Sequence, residues 1–274
     1  MTPSQDFDNL RQFLDALAWR DFFLPAIAAC IGSFSAFLFA SFYERRKALL
    51  NELASATRAF SFVYGAYNSA HNFKKQIVLP KYEELNQLTR TSENLATLKL
   101  VGQQPAEIFL LFRQTFLTLQ PIEFMSSEIV SAVSQLRYIS GRPIVFVGQL
   151  AKSMMSINYA VNQHNLTIGE LKHLDDAETL LAKVTGTFSN KLHVDETYRN
   201  QIDHMAASCD EALFFAHDIL KILELHQKRV RTWLGEHNTK ILLLQNEEDA
   251  MSLHPAPETF ESWKDVATVV HLYK

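Results

Sequence analysis

The chain has 274 residues, a formal net charge of -4 and a sequence pI of about 6.2, so it offers no global basic field and nucleic acid is not expected as its main ligand. An apolar fraction of 47 % excludes wholesale disorder, and eight glycines with eight prolines are too few for a loop-rich or all-β fold. The two cysteines, Cys30 and Cys209, lie far apart in the sequence and neither has a second cysteine at zinc spacing, so neither a disulfide nor a zinc site is expected.

Residues 1–21 place Phe7, Leu10, Leu14 and Leu17 on one helical stripe, with Trp19 next to the apolar run that follows. They are expected to form a short amphipathic extracytoplasmic segment on the membrane interface. Four acids against two arginines make a cleaved leader unexpected here.

Residues 22–43 carry no charged side chain, and Glu44-Arg45-Arg46-Lys47 follows at once. A hydrocarbon core ~30 Å thick needs about 20 apolar helical residues, so this run is expected to be a transmembrane helix. Pro25 falls in its first turn, where a missing N–H costs nothing. Ala28, Gly32, Ala36 and Ala40 recur every fourth residue, a small-residue stripe of the kind that lets membrane helices approach and oligomerise. Arg45, Arg46, Lys47 and Arg58 after the run outnumber Arg11 and Arg20 before it. The expectation is a single-pass protein of the cell membrane, N-terminus outside and C-terminal domain cytoplasmic.

Residues 44–237 are expected to form a cytoplasmic helical bundle. Leu49, Leu53, Ala56, Phe60, Val63, Tyr67, Ala70 and Ile77 keep heptad spacing, interrupted by Lys74, and predict a helix continuing out of the membrane to about Val78. Leu95–Leu100 reads as a brief strand or linker. Helices are predicted over Ala106–Leu119, over Ser127–Tyr138 with a serine cap, from Pro143 to about Gln163, and over Leu174–Val184. Ile202, Met205, Cys209, Ala212, Ala216, Ile219, Leu223, His226, Val230 and Trp233 then sustain a heptad seam over a second long helix from about Glu196 to His237, with Asp195 as its N-cap. His226 is the polar interruption of that seam, able to fix register or respond to pH. Short connections would make the two long helices antiparallel. Lys228, Arg229 and Arg231 would then join Arg45, Arg46 and Lys47 in a basic collar facing anionic headgroups. Residues 238–274 read as a mixed C-terminal tail, with Lys240–Leu244 a candidate strand and Pro255 and Pro257 as breaks.

Chemistry-bearing patterns are few. Arg199 and His204, with four residues between them, resemble the R-x4-6-H motif of HEPN-type ribonucleases, helical-bundle proteins in which two such motifs meet across a dimer. The resemblance implies a membrane-tethered ribonuclease in which the arginine holds phosphate and the histidine moves a proton. Arg231 and His237, with five residues between them, match the motif a second time on the same predicted helix. Glu170 and His173 have the carboxylate–histidine spacing of di-iron bundles without the second pair that such a site needs, and His217-Asp218 lacks the partners of a phosphohydrolase dyad. Phosphate-binding glycine loops and a serine nucleophile elbow are absent from the sequence.

The expected fold is therefore all-α, a single N-terminal transmembrane helix continuing into an elongated cytoplasmic antiparallel bundle. Its expected work is non-enzymatic, as a scaffold, sensor or membrane effector acting by oligomerisation and protein contacts. Membrane lipid, a second copy of the chain and a cytoplasmic protein are the expected partners; no cofactor and no metal are expected. An oligomeric membrane pore or depolarising effector is the further alternative beside the ribonuclease.

Overall fold

The computed structural model describes residues 8–9, 11–13, 24–99, 116–137, 139, 142–174, 177–186, 195–235, 240–243 and 253. Every regular element among them is helical. α1 spans Leu24–Phe73 and passes through a π-helical turn, Lys74–Val78, into α2, Leu79–Lys99. There follow α3 (Ser126–Ser134), α4 (Arg142–Leu171), α5 (Ala177–Thr185) and α6 (Thr197–Leu234). From Leu24 to Lys99 the helix is unbroken, about 110 Å long at the standard rise. Residues 8, 9 and 11–13 are helical and exposed, while Phe22 and Phe23 lie outside the described residues.

α1 changes environment once along its length. From Pro25 through Lys47 its residues are exposed, Ser35 excepted; from Leu49 to Ala70 the heptad positions are buried. The apolar N-terminal stretch is the one candidate membrane span among the described residues, and none of it is buried inside the protein.

The core forms where the second half of α1, α4 and α6 pack together, with α3 laid on α1 and α5 between α2 and α6. α6 is the central helix. All nine seam positions from Ile202 to Val230 are buried, and so are Leu213, Phe214, Phe215, His217 and Leu220 off the seam, because neighbours cover α6 on several sides. Trp233, expected to close the seam, is 48 % exposed, and the helix stops at Leu234 with Gly235 in the left-handed conformation at φ 68°. α6 starts one residue later than expected, with Glu196 rather than Asp195 at the N-cap position; Asp195, one residue before it, accepts the Thr197 N–H on its Oδ1 at 3.1 Å.

The π turn resets the register of the long helix. Heptad spacing holds from Leu49 through Ala70, after which Val78 is fully buried and Ile77 only partly, one residue out of step with an unbroken 3-4 alternation. A π turn takes up one extra residue. It leaves Lys74 at the margin of the core, where the ammonium pairs with Asp210 of α6 and donates to the Leu253 carbonyl at 2.7 Å. A lysine held in the seam would have been buried without a counter-charge.

Several boundaries differ from the sequence expectations. Leu95–Lys99 is helical rather than strand or linker, as its alanine, leucine and lysine content favours. Residues 106–115 lie outside the described residues, and 116–119, expected to end a helix, run without regular structure along α4. α3 lacks the serine cap, since Ser127 Oγ donates instead to Glu128. α4 continues past Gln163 to Leu171. Residues 240–243 form no strand, and most of the 238–274 tail lies outside the described residues.

Candidate membrane-facing site

The end of α1 nearest the apolar stretch gathers most of the polar features that the sequence pointed to. Leu49 and Leu53 of α1 pack on Val230 of α6, with Leu234 and Ile241 against them. That small apolar cluster fixes the level at which the two helices meet. It brings Arg45, Arg46 and Lys47, which just precede Leu49, to the same end of the protein as Lys228, Arg229 and Arg231, which flank Val230. Five of these six side chains are exposed and Arg231 is half-buried. Lys228 is ion-paired with Glu224 one turn earlier, which offsets part of the local charge.

Immediately beneath lies a buried polar pair. Glu52 and His226 are 3 % and 4 % exposed, and Nε2 of the imidazole stands 2.9 Å from the carboxylate Oε1. The second oxygen, Oε2, accepts the backbone N–H of Arg137 at 3.0 Å. Burial pulls the His226 pKa below the usual histidine value, and Arg229 adds to this, against the opposing pull of the Glu52 hydrogen bond and charge. With the ring neutral, Nε2–H donates to a carboxylate that holds the charge. One turn on, Thr57 Oγ1 donates to Gln227 Oε1 at 3.4 Å, and the same oxygen accepts the Leu242 N–H at 3.2 Å, tying the start of the tail to the helix pair.

A cavity of about 350 Å³ opens between α1 and the end of α3 on this side, lined by Glu44, Lys47, Asn51, Glu52, Gln135 and Arg137 among others. Glu52 thus forms part of the wall of an open polar cavity while its carboxylate is tied to α6. His226 was singled out by its place in the seam, but Glu52, Arg137 and Gln227 were not. The signal was present: Glu52 abuts the heptad position Leu53, at the level where an opposed helix would bring His226.

Ala28, Gly32, Ala36 and Ala40 are all exposed on the apolar stretch, and a Cβ added at Gly32 would meet nothing within 4 Å. The stripe is uncovered in this single chain.

Arg199 and His204 lie at the other end of α6, on different sides of it. His204 Nε2 is 2.7 Å from Ser156 Oγ of α4, which also accepts from Ser208 Oγ at 3.0 Å. The Arg199 charge acts on Tyr82 of α2, whose phenol donates to Asp203; burial first and then Asp203 push the Tyr82 pKa well up. Five residues turn a helix through about 140° past a full turn, so the arginine and histidine do not converge within one chain. His217 is buried in the core beside a half-buried Asp218, and Glu170 and His173 are both exposed. No group of three or more metal-ligating side chains is assembled among the described residues.

Sequence reasoning also passed over a buried histidine. His164 of α4 is fully buried, its ring 5.3 Å from that of Tyr198, and neither ring nitrogen has a hydrogen-bond partner among the described residues. Desolvation, with the nearby Lys81 charge, pushes its pKa down to about 4 against a smaller pull from the Leu117 backbone. Compared with protein-family models, curated proteins and solved structures, the chain matches none.

Proposed function

We propose that this chain is a single-pass, membrane-anchored protein whose antiparallel cytoplasmic bundle acts by assembly and protein contacts, as a scaffold, sensor or membrane effector. One observation carries the reading: an apolar helix with Ile31, Phe34, Phe37, Phe39 and Phe42 each more than 60 % exposed runs without interruption into the core helix of a packed bundle. Exposed apolar surface of that extent marks contact with lipid or protein. Its place beside the basic runs favours lipid, with Arg45–Lys47 and Lys228–Arg231 at headgroup level and the bundle on the cytoplasmic side. The opposed order of contacts, Glu52 with His226 and Lys74 with Asp210, supports the antiparallel pairing of α1 with α6. The uncovered small-residue stripe supports self-association within the bilayer.

Flotation tests the anchor. The full chain reconstituted with phosphatidylcholine vesicles should float with them after an alkaline carbonate wash. Added phosphatidylserine should tighten vesicle contact in a salt-sensitive way through the collar, by about 1 kcal/mol per basic residue at the surface. Protein that stays soluble without surfactant and remains at the bottom of the gradient would overturn the anchor, the collar and the orientation together.

A further inference from the structure

α4 holds a stretch of chain that has no secondary structure of its own, and it does so through two asparagines. Asn158 and Asn165 are seven residues apart, two helical turns, so their side chains leave one face of α4 about 10.5 Å apart along the axis. Asn165 Oδ1 accepts the Leu119 N–H at 2.7 Å while its Nδ2 donates to the Leu119 carbonyl at 2.8 Å. Asn158 repeats the arrangement on Ile122, at 2.7 and 2.9 Å. Each amide meets one residue's peptide groups much as a neighbouring β-strand would.

The spacing on the two sides agrees. Leu119 and Ile122 are three residues apart, and three residues of polyproline-type chain advance about 9.3 Å, close to two turns of α-helix. Buried and half-buried positions of the bound stretch recur on the same period: Phe116 and Leu119 are buried and Ile122 is half-buried, while Leu117, Thr118, Gln120 and Pro121 are exposed. Pro121 has no N–H to leave unsatisfied, and a proline biases the residue before it away from the helical conformation. The four hydrogen bonds touch no side chain of the bound stretch, so α4 reads main-chain geometry, and identity enters only through the apolar residue at every third position.

We infer that Asn158 and Asn165 form a main-chain clamp on α4 for an extended peptide with apolar residues three apart, and that the seated stretch, residues 116–122, can be exchanged for the same stretch of a second copy. A copy's segment is complementary to the groove by construction. Sixteen residues, 100–115, separate α2 from the seated stretch in the sequence, and exchange would join protomers outside the bilayer, a contact that does not depend on the membrane anchor proposed above.

A labelled synthetic peptide of residues 114–125 tests the clamp by fluorescence anisotropy against the full chain in detergent micelles. A tethered segment competes at an effective concentration on the order of 1 mM, so wild type should bind the peptide weakly. Leu119→Asp in the chain loosens the seated segment and should tighten peptide binding about tenfold or more; adding Asn158→Leu and Asn165→Leu to that variant should abolish the gain. No gain with Leu119→Asp, or a gain that survives loss of both asparagines, overturns the proposal. Hydrogen exchange on the wild-type chain gives a readout that needs no variant. The Leu119 and Ile122 amides should exchange about a hundredfold faster than those of Met154 and Ile157 in α4, through local opening. If they exchange only as slowly as that core, the segment leaves its seat only on global unfolding and exchange between copies is ruled out.

Discussion

His164→Leu should remove much of the acid sensitivity of the bundle. His164 is fully buried, faces Lys81 of α2 and Tyr198 of α6, and has a pKa lowered to about 4. Burial is the main cause of the depression, and the Lys81 ammonium, though paired with Glu84, adds to it. A histidine whose folded pKa lies below its unfolded value of about 6.5 contributes its stability fully above that value. The contribution falls as pH drops, because the unfolded chain takes up the proton first, and the loss is complete below the folded pKa. At about 1.4 kcal/mol per unit, the depression to about 4 amounts to roughly 3 kcal/mol, of which about 2 kcal/mol is lost between about pH 7.5 and about pH 5. With a urea dependence of roughly 2 kcal/mol per molar, the unfolding midpoint of the full chain in micelles, followed by far-ultraviolet circular dichroism, should drop by about 1 M over that interval. His226 shifts in the same direction and contributes in both proteins, so the comparison that matters is wild type against variant. In His164→Leu the drop should shrink by most of that amount, and stability near neutral pH should hold or rise, since a leucine fills similar space without a buried polar ring. Replacing the exposed His173 in the same way should change neither quantity. Equal pH dependence in wild type and His164→Leu would refute the reasoning.

Three further outcomes follow from particular contacts. Glu52→Leu strands His226 Nε2 in the interior and should cost about 2 kcal/mol, while the double variant with His226→Leu should cost at least about 1 kcal/mol less than the two singles together, as measured by a urea double-mutant cycle. Asn165→Ala leaves both peptide groups of Leu119 unpaired and should destabilise by about 2 kcal/mol, with loss of protection of the Leu119 amide in hydrogen exchange. Lys74→Met removes an ion pair and the hold on Leu253; the unfolding free energy should change by no more than about 1 kcal/mol, while limited proteolysis near residue 253 should accelerate.

What could be read from the sequence was what repeats. The uncharged run and the heptad seams of α1 and α6 announce themselves because one physical requirement recurs at fixed spacing over many residues. The π turn was not legible in the same way, since Ile77 and Val78 are both apolar and only packing decides which faces inward. The stretch around Leu119 misled for a related reason. Apolar residues at 116, 119 and 122 satisfy the i, i+3 spacing of a helix and the three-residue period of an extended chain equally, and what separates them is bonding to Asn158 and Asn165, tens of residues away. His164 could have been found. It falls on the face of α4 that carries Ile157, Val161 and Ile168, all fully buried, just as His226 falls on the seam of α6.

Polar contacts recur along the whole interface between the long helix and α6: Glu52 with His226, Thr57 with Gln227, Lys74 with Asp210, and Tyr82 with Asp203. Apolar seams alone tolerate sliding by a turn, because one small or branched side chain replaces another; directional polar contacts do not. A shift of one turn, 5.4 Å, would break all of these contacts together and leave Glu52 and His226 buried without each other. The helix that carries the apolar stretch is therefore locked in register to α6 at the centre of the helical core, and movement of the stretch must either carry α6 with it or be taken up between Tyr43 and Leu49. Two glycines inserted after Tyr43 place a flexible joint there. The insertion should leave flotation and the bundle's unfolding midpoint unchanged. It should also remove the difference in α6 amide exchange that the wild type is expected to show between detergent micelles and bilayers. If the inserted chain keeps that difference in full, the continuous helix is not what couples the two halves.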